Sequence, residues 1–475
     1  MPSLPYRPAL ASCRELLVAS AWLLAVGCNR GDDQDAPARA PHSASRGASA
    51  SPSAASSASS AAVAPGAARP GLQPPATTTT RYPPGALHSP ITPAQVAAWK
   101  KIWAAHPELS AQRFIKVGDS VTASGDALYC VGREAGLLAL KRDQPALFDA
   151  AAYFGAEGKY GGSFGRESQA AVVGWSAWNA IDGTKNRVWR EQQAQRARVA
   201  LVQFGTNDIE IGALHHFADK LFDLAEQLQQ SGALPVFYTI PHRADRASAG
   251  RDVPRYNAVI RGVAQALQVP LVDYYLGLNA LPRRGLSGDG IHPSTFSGPG
   301  GRDPCDMTAE GLRSGYNLRN WLSLQVLDRL RRVMTDSFTS EAPALASGVG
   351  DQSSPLQVTR LEAASPWVDF QPLQEQLTAS ACSKSAGRGA SYRLVVSRPG
   401  RYRMLGFDRG LESDLHVYAE GASAECLGQD ARKLVLQLAP GSYRVELRWQ
   451  PPSSKHKLAA VAPPHVGALL VLLKE

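Results

Sequence analysis

Three short stretches of this sequence carry the residue types of an activated alcohol. Gly118-Asp119-Ser120 follows directly on an apolar run, Arg113-Phe-Ile-Lys-Val117, and presents a hydroxyl on a tight turn that the glycine permits. A serine hydroxyl attacks a carbonyl poorly until a neighbouring base takes its proton. Asp289-Gly290-Ile291-His292-Pro293 supplies such a base. The carboxylate three residues before the imidazole lets Asp289 orient His292 and stabilise its protonated form, while the other ring nitrogen receives the serine proton. Gly205-Thr206-Asn207-Asp208 closes another apolar run and offers a side-chain amide to a developing oxyanion. The chemistry that such a set performs is acyl transfer.

These stretches are far apart in the chain, so a fold must bring them together. Arg113–Val117, Arg198–Phe204, Leu234–Ile240 and Val269–Asp273 are short apolar runs bounded by Gly, Pro or Asp, and they predict buried strands. Helical patterns lie between them, notably Ala213 to Gln230, with Phe217, Leu221, Leu224 and Leu228 on one face, and Tyr256 to Leu267. Alternating strand and helix argues for a parallel sheet covered on both faces, in which ligands gather beyond the carboxyl ends of the strands. Gly118-Asp119-Ser120 and the Asn207 turn both fall at such ends.

Singly, each motif arises often by chance. In this order, and at strand ends, they resemble the SGNH hydrolases, also called GDSL-type esterases, over roughly Pro90 to Met334 or about half of the chain. The resemblance implies an α/β, three-layer flavodoxin-like domain with a parallel sheet. It implies Ser120 as nucleophile and, through its backbone amide, as an oxyanion donor; Asn207 as a second donor; and Asp289 and His292 as the rest of the triad. Met307 to Leu330 looks like the family's final helix. The family's glycine donor segment is altered here to Gly161-Gly-Ser-Phe-Gly165 and onward to Gly174-Trp-Ser-Ala-Trp178. Gly174, after a hydrophobic pair and before a predicted helix, is taken as the third donor, with Gly165 as the alternative.

The same segment holds a rival nucleophile, because Gly161 to Gly165 satisfies G-x-S-x-G around Ser163. That elbow needs a hydrophobic strand before it. Tyr153 to Tyr160 contains two glycines, Glu157 and Lys159 instead. In that fold the acid and the histidine also lie far apart in sequence, and here they are three residues apart, so Ser163 is set aside. Asp208 reads as a cap on the next helix rather than as the triad acid. His215 and His216 have no carboxylate or Cys at ligand spacing, so no metal is expected. Acyl transfer to water needs no cofactor. Trp175, Trp178 and Trp189 could line a sugar-binding wall or belong to the core, and both readings stand.

The remainder of the 475 residues surrounds this unit. Arg7 and Arg14 precede an apolar run from Leu16 to Val26, too short to span a bilayer and laid out as a secretory signal. Leu24-Ala25-Val26-Gly27-Cys28 resembles the lipobox of bacterial lipoproteins, with Ala25 where the family usually has Leu. That resemblance implies a signal over 1–28, acylation of Cys28 and a lipid-anchored protein of the bacterial cell envelope. Residues 29–89 are rich in Ala, Ser, Pro and Thr, with too few large apolar side chains to offset the entropy of ordering, and they read as a disordered tether. The hydrolase-like domain is expected over 90–335, a linker over 336–355, and a C-terminal domain over 356–475.

That last segment contains short alternating runs, among them Ser391–Val396, Gly400–Phe407, Leu434–Leu438 and Ser442–Trp449, with Pro-Gly turns. They predict an all-β sandwich. Its hairpins look like the small jelly-roll modules appended to secreted bacterial hydrolases, in either a polymer-binding or a passive role. With Cys13 removed and Cys28 acylated, Cys130, Cys305, Cys382 and Cys426 remain in an oxidising compartment. Four cysteines allow three connectivities. The economical pairing, within domains, joins Cys130 to Cys305 and Cys382 to Cys426.

Lys plus Arg exceeds Asp plus Glu by 50 to 41, a net +9, without any nucleic-acid motif. The excess therefore reads as a solvated basic surface suited to anionic polymers or headgroups. The combined expectation is a serine esterase acting through an acyl-enzyme on Ser120. Its expected substrate is an acylated carbohydrate or small ester, with a short O-acetyl group on a cell-surface or extracellular polysaccharide as the foremost expectation. The alternatives are a lipase or lysophospholipase, and a non-catalytic carbohydrate-binding surface lipoprotein. The sequence carries no signal for oligomeric state.

Overall fold

The computed structural model describes residues 82–83, 85–157, 162–182 and 186–341. In the C-terminal region it describes 356–358, 368–369, 377, 380–383, 388–408, 412–421, 425–431, 433–450 and 467–474. The expected signal with Cys28, the expected tether up to residue 81 and most of the expected linker lie outside these residues.

Four parallel strands form the central sheet, β1 (Ser110–Gly118), β2 (Ala197–Gln203), β3 (Leu234–Tyr238) and β4 (Leu271–Val272), side by side in that order. They form where the apolar runs predict. Phe114, Ile115, Val117, Val199, Val202 and Val236 have no solvent-accessible surface, as expected for strands covered on both faces. Register then carries the functional consequence. Gly118 is the direct partner of Gln203, so β1 and β2 finish level, and the Ser120 turn and the Asn207 turn leave the sheet at one edge.

Beyond β1 the sheet continues for a single residue. Gly118 N–H donates to Ala170 O and Val172 N–H donates to Gly118 O, both at 3.0 Å, and Ala171 pairs in parallel with Gly118. A flavodoxin-like order places the second strand of the chain at this edge. Here it is reduced to one bridge, which ties the Gly174 segment to the nucleophile strand.

The helix Leu214–Gln230 buries Phe217, Leu221, Leu224 and Leu228, the face its periodicity predicts. The helix Ala247–Ala266 begins nine residues before the predicted Tyr256 and continues through Pro254. Proline ordinarily marks a helix end, but Ala249 and Val253 are buried before it, and this packing outweighs the lost N–H. The final helix is Gly315–Met334, eight residues later than Met307. The intervening stretch is instead a turn pinned by Asp306 and Thr308, followed by the short 3₁₀ segment Gly311–Arg313.

The final helix braces two loops. Asn317 donates to Asp303 O and Asp306 O and accepts from Phe296 N–H. Asn320 donates to Asp126 O and Pro304 O and accepts from Leu128 N–H. The same loops, one after Ser120 and one after His292, are joined covalently, because Cys130 and Cys305 stand at disulfide distance with S–S 2.06 Å.

The C-terminal region is a separate antiparallel β unit of two sheets. One contains Lys433–Leu438, Gly400–Asp408, Gly467–Lys474 and Val368–Asp369 in that order. The other contains Cys426–Ala431, Glu412–Ala419, Gly441–Gln450, Arg388–Val396 and Leu356–Val358, the last pairing in parallel. Their facing sides share a core of Tyr392, Leu394, Met404, Leu415, Val417, Val445 and Leu447. Cys382 and Cys426 form the second disulfide-distance pair. Leu405 joins the core of the α/β domain, and the ring of His215 bonds Gly406 O at 3.1 Å. His215 therefore anchors this unit to the start of the helix Leu214–Gln230.

Candidate active site

Ser120 opens a one-turn helix, Ser120–Ala123, whose N-cap Asp119 accepts the Val121 N–H at 3.0 Å. The position before it has to be glycine. A Cβ at Gly118 would lie 2.4 Å from Thr122 Oγ1 and 2.6 Å from the Gln203 carbonyl oxygen. This tight turn aims the hydroxyl at the loop after β4, where Ser120 Oγ lies 2.9 Å from His292 Nε2.

His292 is in turn held by Asp289. The carboxylate's Oδ2 lies 2.7 Å from His292 Nδ1. Its Oδ1 accepts from Ser287 Oγ at 2.7 Å, Ile291 N–H at 2.9 Å and His292 N–H at 3.0 Å. Burial alone would raise the Asp289 pKa, but these donors and the imidazole hold it well below the usual carboxylate range. A carboxylate kept ionised at Nδ1 places the ring proton there, and leaves Nε2 as the acceptor for the serine proton. Gly290 permits the turn between them. It has φ +69°, and a Cβ on it would meet Asp245 N at 2.9 Å. The side chains of Asp289 and His292 are 46% and 39% exposed, so the relay sits in an open cleft.

The candidate amide donors belong to the turns that leave the level ends of β1 and β2 and to the segment between them. Asn207 Nδ2 donates to Trp175 O at 2.8 Å. That bond uses one of its two protons and fixes the plane of the amide. Gly174 (φ +81°) sits between Val172, bonded to Gly118, and Trp175, bonded to Asn207. The chain on either side of Gly174 is thus attached to each of the two strand ends. Among the described residues, the N–H groups of Ser120 and Gly174 enter no hydrogen bond.

The alternatives lie elsewhere. Ser163 is buried and its Oγ accepts from Phe114 N–H at 3.0 Å. Phe114 is four residues upstream of Gly118, or about 13 Å along an extended strand. Phe164 O, next to Gly165, accepts from the buried Lys116 Nζ at 3.0 Å, so Gly165 also lies back along β1. Gly161 is outside the described residues.

Asp208 is a cap, though not of the helix that follows it. Its two oxygens accept from Ala177 N–H at 3.0 and 3.3 Å, and so they hold the start of Ala177–Ile181 beside the Gly174 turn. Sequence spacing does not reveal a cap supplied from 31 residues away. Burial pushes the Asp208 pKa up to about 7, with the Ala177 amide opposing and the Asp119 charge adding to the rise. An acid whose folded pKa is raised binds its proton more tightly when folded, so stability falls as pH rises from about 4 to about 7. Asp208→Asn removes this penalty. In denaturant titrations the variant is expected to gain on the wild type across that window, by on the order of 2–4 kcal/mol. A stability difference independent of pH would contradict it.

The tryptophans divide. Trp175 lends its carbonyl to Asn207, and its ring lies 5.1 Å from the Arg187 guanidinium. Trp178, 40% exposed, packs on His216 at 5.0 Å and on Lys220 at 4.8 Å. His216 is thereby an aromatic neighbour of this surface. Trp189 lines a different groove with Leu109, Arg196 and Ser231. These residues precede β1, β2 and β3, so Trp189 is at the opposite end of the sheet and outside any wall of this site.

Beneath the nucleophile turn lie Arg319, which no motif marks, and the side chain of Asp119 from the Gly118-Asp119-Ser120 turn itself. Arg319 of the final helix donates to Gln203 Oε1 at 2.9 Å and to Thr122 Oγ1 at 3.2 Å. Asp119 is fully buried, and desolvation pushes its pKa up to about 6 against the Val121 amide, Thr206 and Arg319. The signal for Arg319 is faint, a cation among Asn317, Asn320 and Ser323 on a helix that otherwise packs on the core.

Residues 117–295 match the GDSL-like Lipase/Acylhydrolase family. Among solved structures the chain is similar to a GDSL-like lipase from Bacteroides thetaiotaomicron, with 17% identity, 49% of this chain and 98% of that chain covered, and a TM-score of 0.30. It is also similar to an acetylxylan esterase from Geobacillus stearothermophilus, with 15% identity, 46% and 95% covered, and a TM-score of 0.31. No protein of curated function matches the chain.

Proposed function

The middle of this chain is a GDSL-type serine hydrolase domain, and from that premise we propose that it removes short acyl groups, acetyl foremost, from a polysaccharide. The observation that carries the chemistry is the relay Ser120 Oγ, His292 Nε2, Nδ1 and Asp289 Oδ2, with contacts of 2.9 and 2.7 Å. Ser120 Oγ attacks the ester carbonyl while His292 Nε2 takes its proton. The oxyanion is met by the amides of Ser120 and Gly174 and by Asn207 Nδ2. Collapse breaks the bond to the alcohol oxygen, which leaves with the proton from His292. Water then gives a proton to His292 and attacks the acyl-enzyme, releasing the carboxylic acid and restoring Ser120.

What supports a hydrophilic alcohol is the groove of about 640 Å³ between the loops that follow Ser120 and His292. Asp126, Arg133, Arg302 and Asp303 line it beside Phe296 and Ala139, and the charged groups with the one aromatic ring suit the hydroxyls and face of a sugar. The signal and the Cys28 motif support an envelope-anchored protein facing such a polymer. A second reading, a lipase, draws on Val173 and Ile211. These are 73% and 57% exposed; Val173 adjoins Gly174, and Ile211 ends the short helix after Asn207.

p-Nitrophenyl esters from acetate to palmitate, together with acetate release from an O-acetylated polysaccharide, separate the two. The expected result is a kcat/KM highest for acetate, falling by about tenfold or more for the long chains, with acetate released from the polymer; exclusion of the extra methylenes from a small acyl pocket accounts for such a ratio. Preference for palmitate with no release from the polymer would establish the lipase reading instead.

A further inference from the structure

We propose that Arg243 is a positioning residue that fixes the Asn207 amide relative to the Asp289–His292 loop. This rests on the reading that Asn207 and His292 serve one ester. Arg243 lies in the connection between β3 and the helix Ala247–Ala266, and only 5% of its side chain is exposed. Nη1 donates to Thr206 O at 2.9 Å, gripping the peptide unit that leads into Asn207. Nη2 donates to Glu210 Oε1 at 3.0 Å, on the turn that Asn207 begins. The guanidinium is itself locked by Asp245, through Nε at 2.6 Å and Nη2 at 2.8 Å.

The neighbouring backbone holds the other half of the site. Ala244 N–H donates to Gly290 O at 2.8 Å, and the missing Gly290 Cβ leaves room for Asp245 N and Ala244 C. Gly290 lies between Asp289 and His292. One three-residue segment thus touches both the oxyanion side and the acid–base side. Only a planar fork satisfies the carbonyl and both carboxylates at once, because an ammonium offers a single compact charge.

The test is a double-mutant cycle on the full chain, with kcat and KM measured on p-nitrophenyl acetate. R243M is expected to lower kcat by about 10- to 100-fold with KM changed less than about twofold, part of the ~10²- to 10³-fold that one oxyanion donor supplies. In an N207A background the same substitution is expected to cost less than about threefold, since the group it positions is gone. R243K keeps one donor for the Thr206 carbonyl but not the fork, and is expected to recover only a small part, about two- to fivefold, of the lost kcat. If R243M does not fold, the cycle is run with R243K and read by the same comparison. An R243M loss of equal size in both backgrounds, an unchanged kcat, or an R243K no better than R243M overturns the proposal. Wild-type protein inactive on p-nitrophenyl acetate would instead overturn the Ser120 reading on which it rests.

Discussion

Alanine at position 292 is expected to lower kcat for p-nitrophenyl acetate by about 10⁵-fold or more, because without the imidazole the Ser120 proton has no acceptor in the attacking step. Ser120→Ala should lose as much, and the double variant no more than either alone, since the two groups act as one unit. The residual rate belongs to the amides of Ser120, Gly174 and Asn207. Steady-state kinetics on the three variants check this. Losses that multiply would mean that Ser120 and His292 contribute independently, in conflict with their 2.9 Å contact.

Asp289→Asn is expected to cost about 10⁴-fold in kcat with little change in KM, because an amide at Oδ2's position no longer selects the Nδ1–H tautomer. The pH behaviour follows from the same contacts. Ser287, Ile291 N–H and His292 hold the Asp289 pKa well below the usual range. A depressed acid contributes stability above its unfolded pKa, and loses that contribution only as pH falls through the folded value. Asp289 therefore stays ionised through mildly acid conditions, and the acid limb of the rate profile is not set by its protonation. A variant with near wild-type kcat would show that Asp289 is only a loop constraint.

Much of this arrangement is legible in the residues themselves. Gly118-Asp119-Ser120 and Asn207 announce themselves because the buried runs before them end where a polar turn starts. The His292 loop is legible because its acid and base are three residues apart. Gly174 is taken over Gly165 from the hydrophobic pair before it and the helix predicted after it, and what the sequence does not show is the bond from Val172 N–H to Gly118 O that ties its segment to the end of β1. The helix boundaries at Ala247 and Gly315 depart from the periodicity because Pro254 is tolerated by tertiary packing, and because Asp306 and Thr308 turn the chain before the final helix. Arg243, Arg319 and the Asp208 cap are hidden for a common reason. Each acts across more than 30 residues on a backbone group or buried side chain, and such a contact leaves no periodicity and no motif.

The mechanism stands on Ser120, and not Ser163, as the nucleophile. The most direct measurement is labelling of the full chain with a fluorophosphonate, followed by peptide mapping. A single adduct is expected on the peptide containing Ser120, absent in Ser120→Ala and retained in Ser163→Ala. An adduct on another serine, or ester hydrolysis that persists in Ser120→Ala, would contradict it.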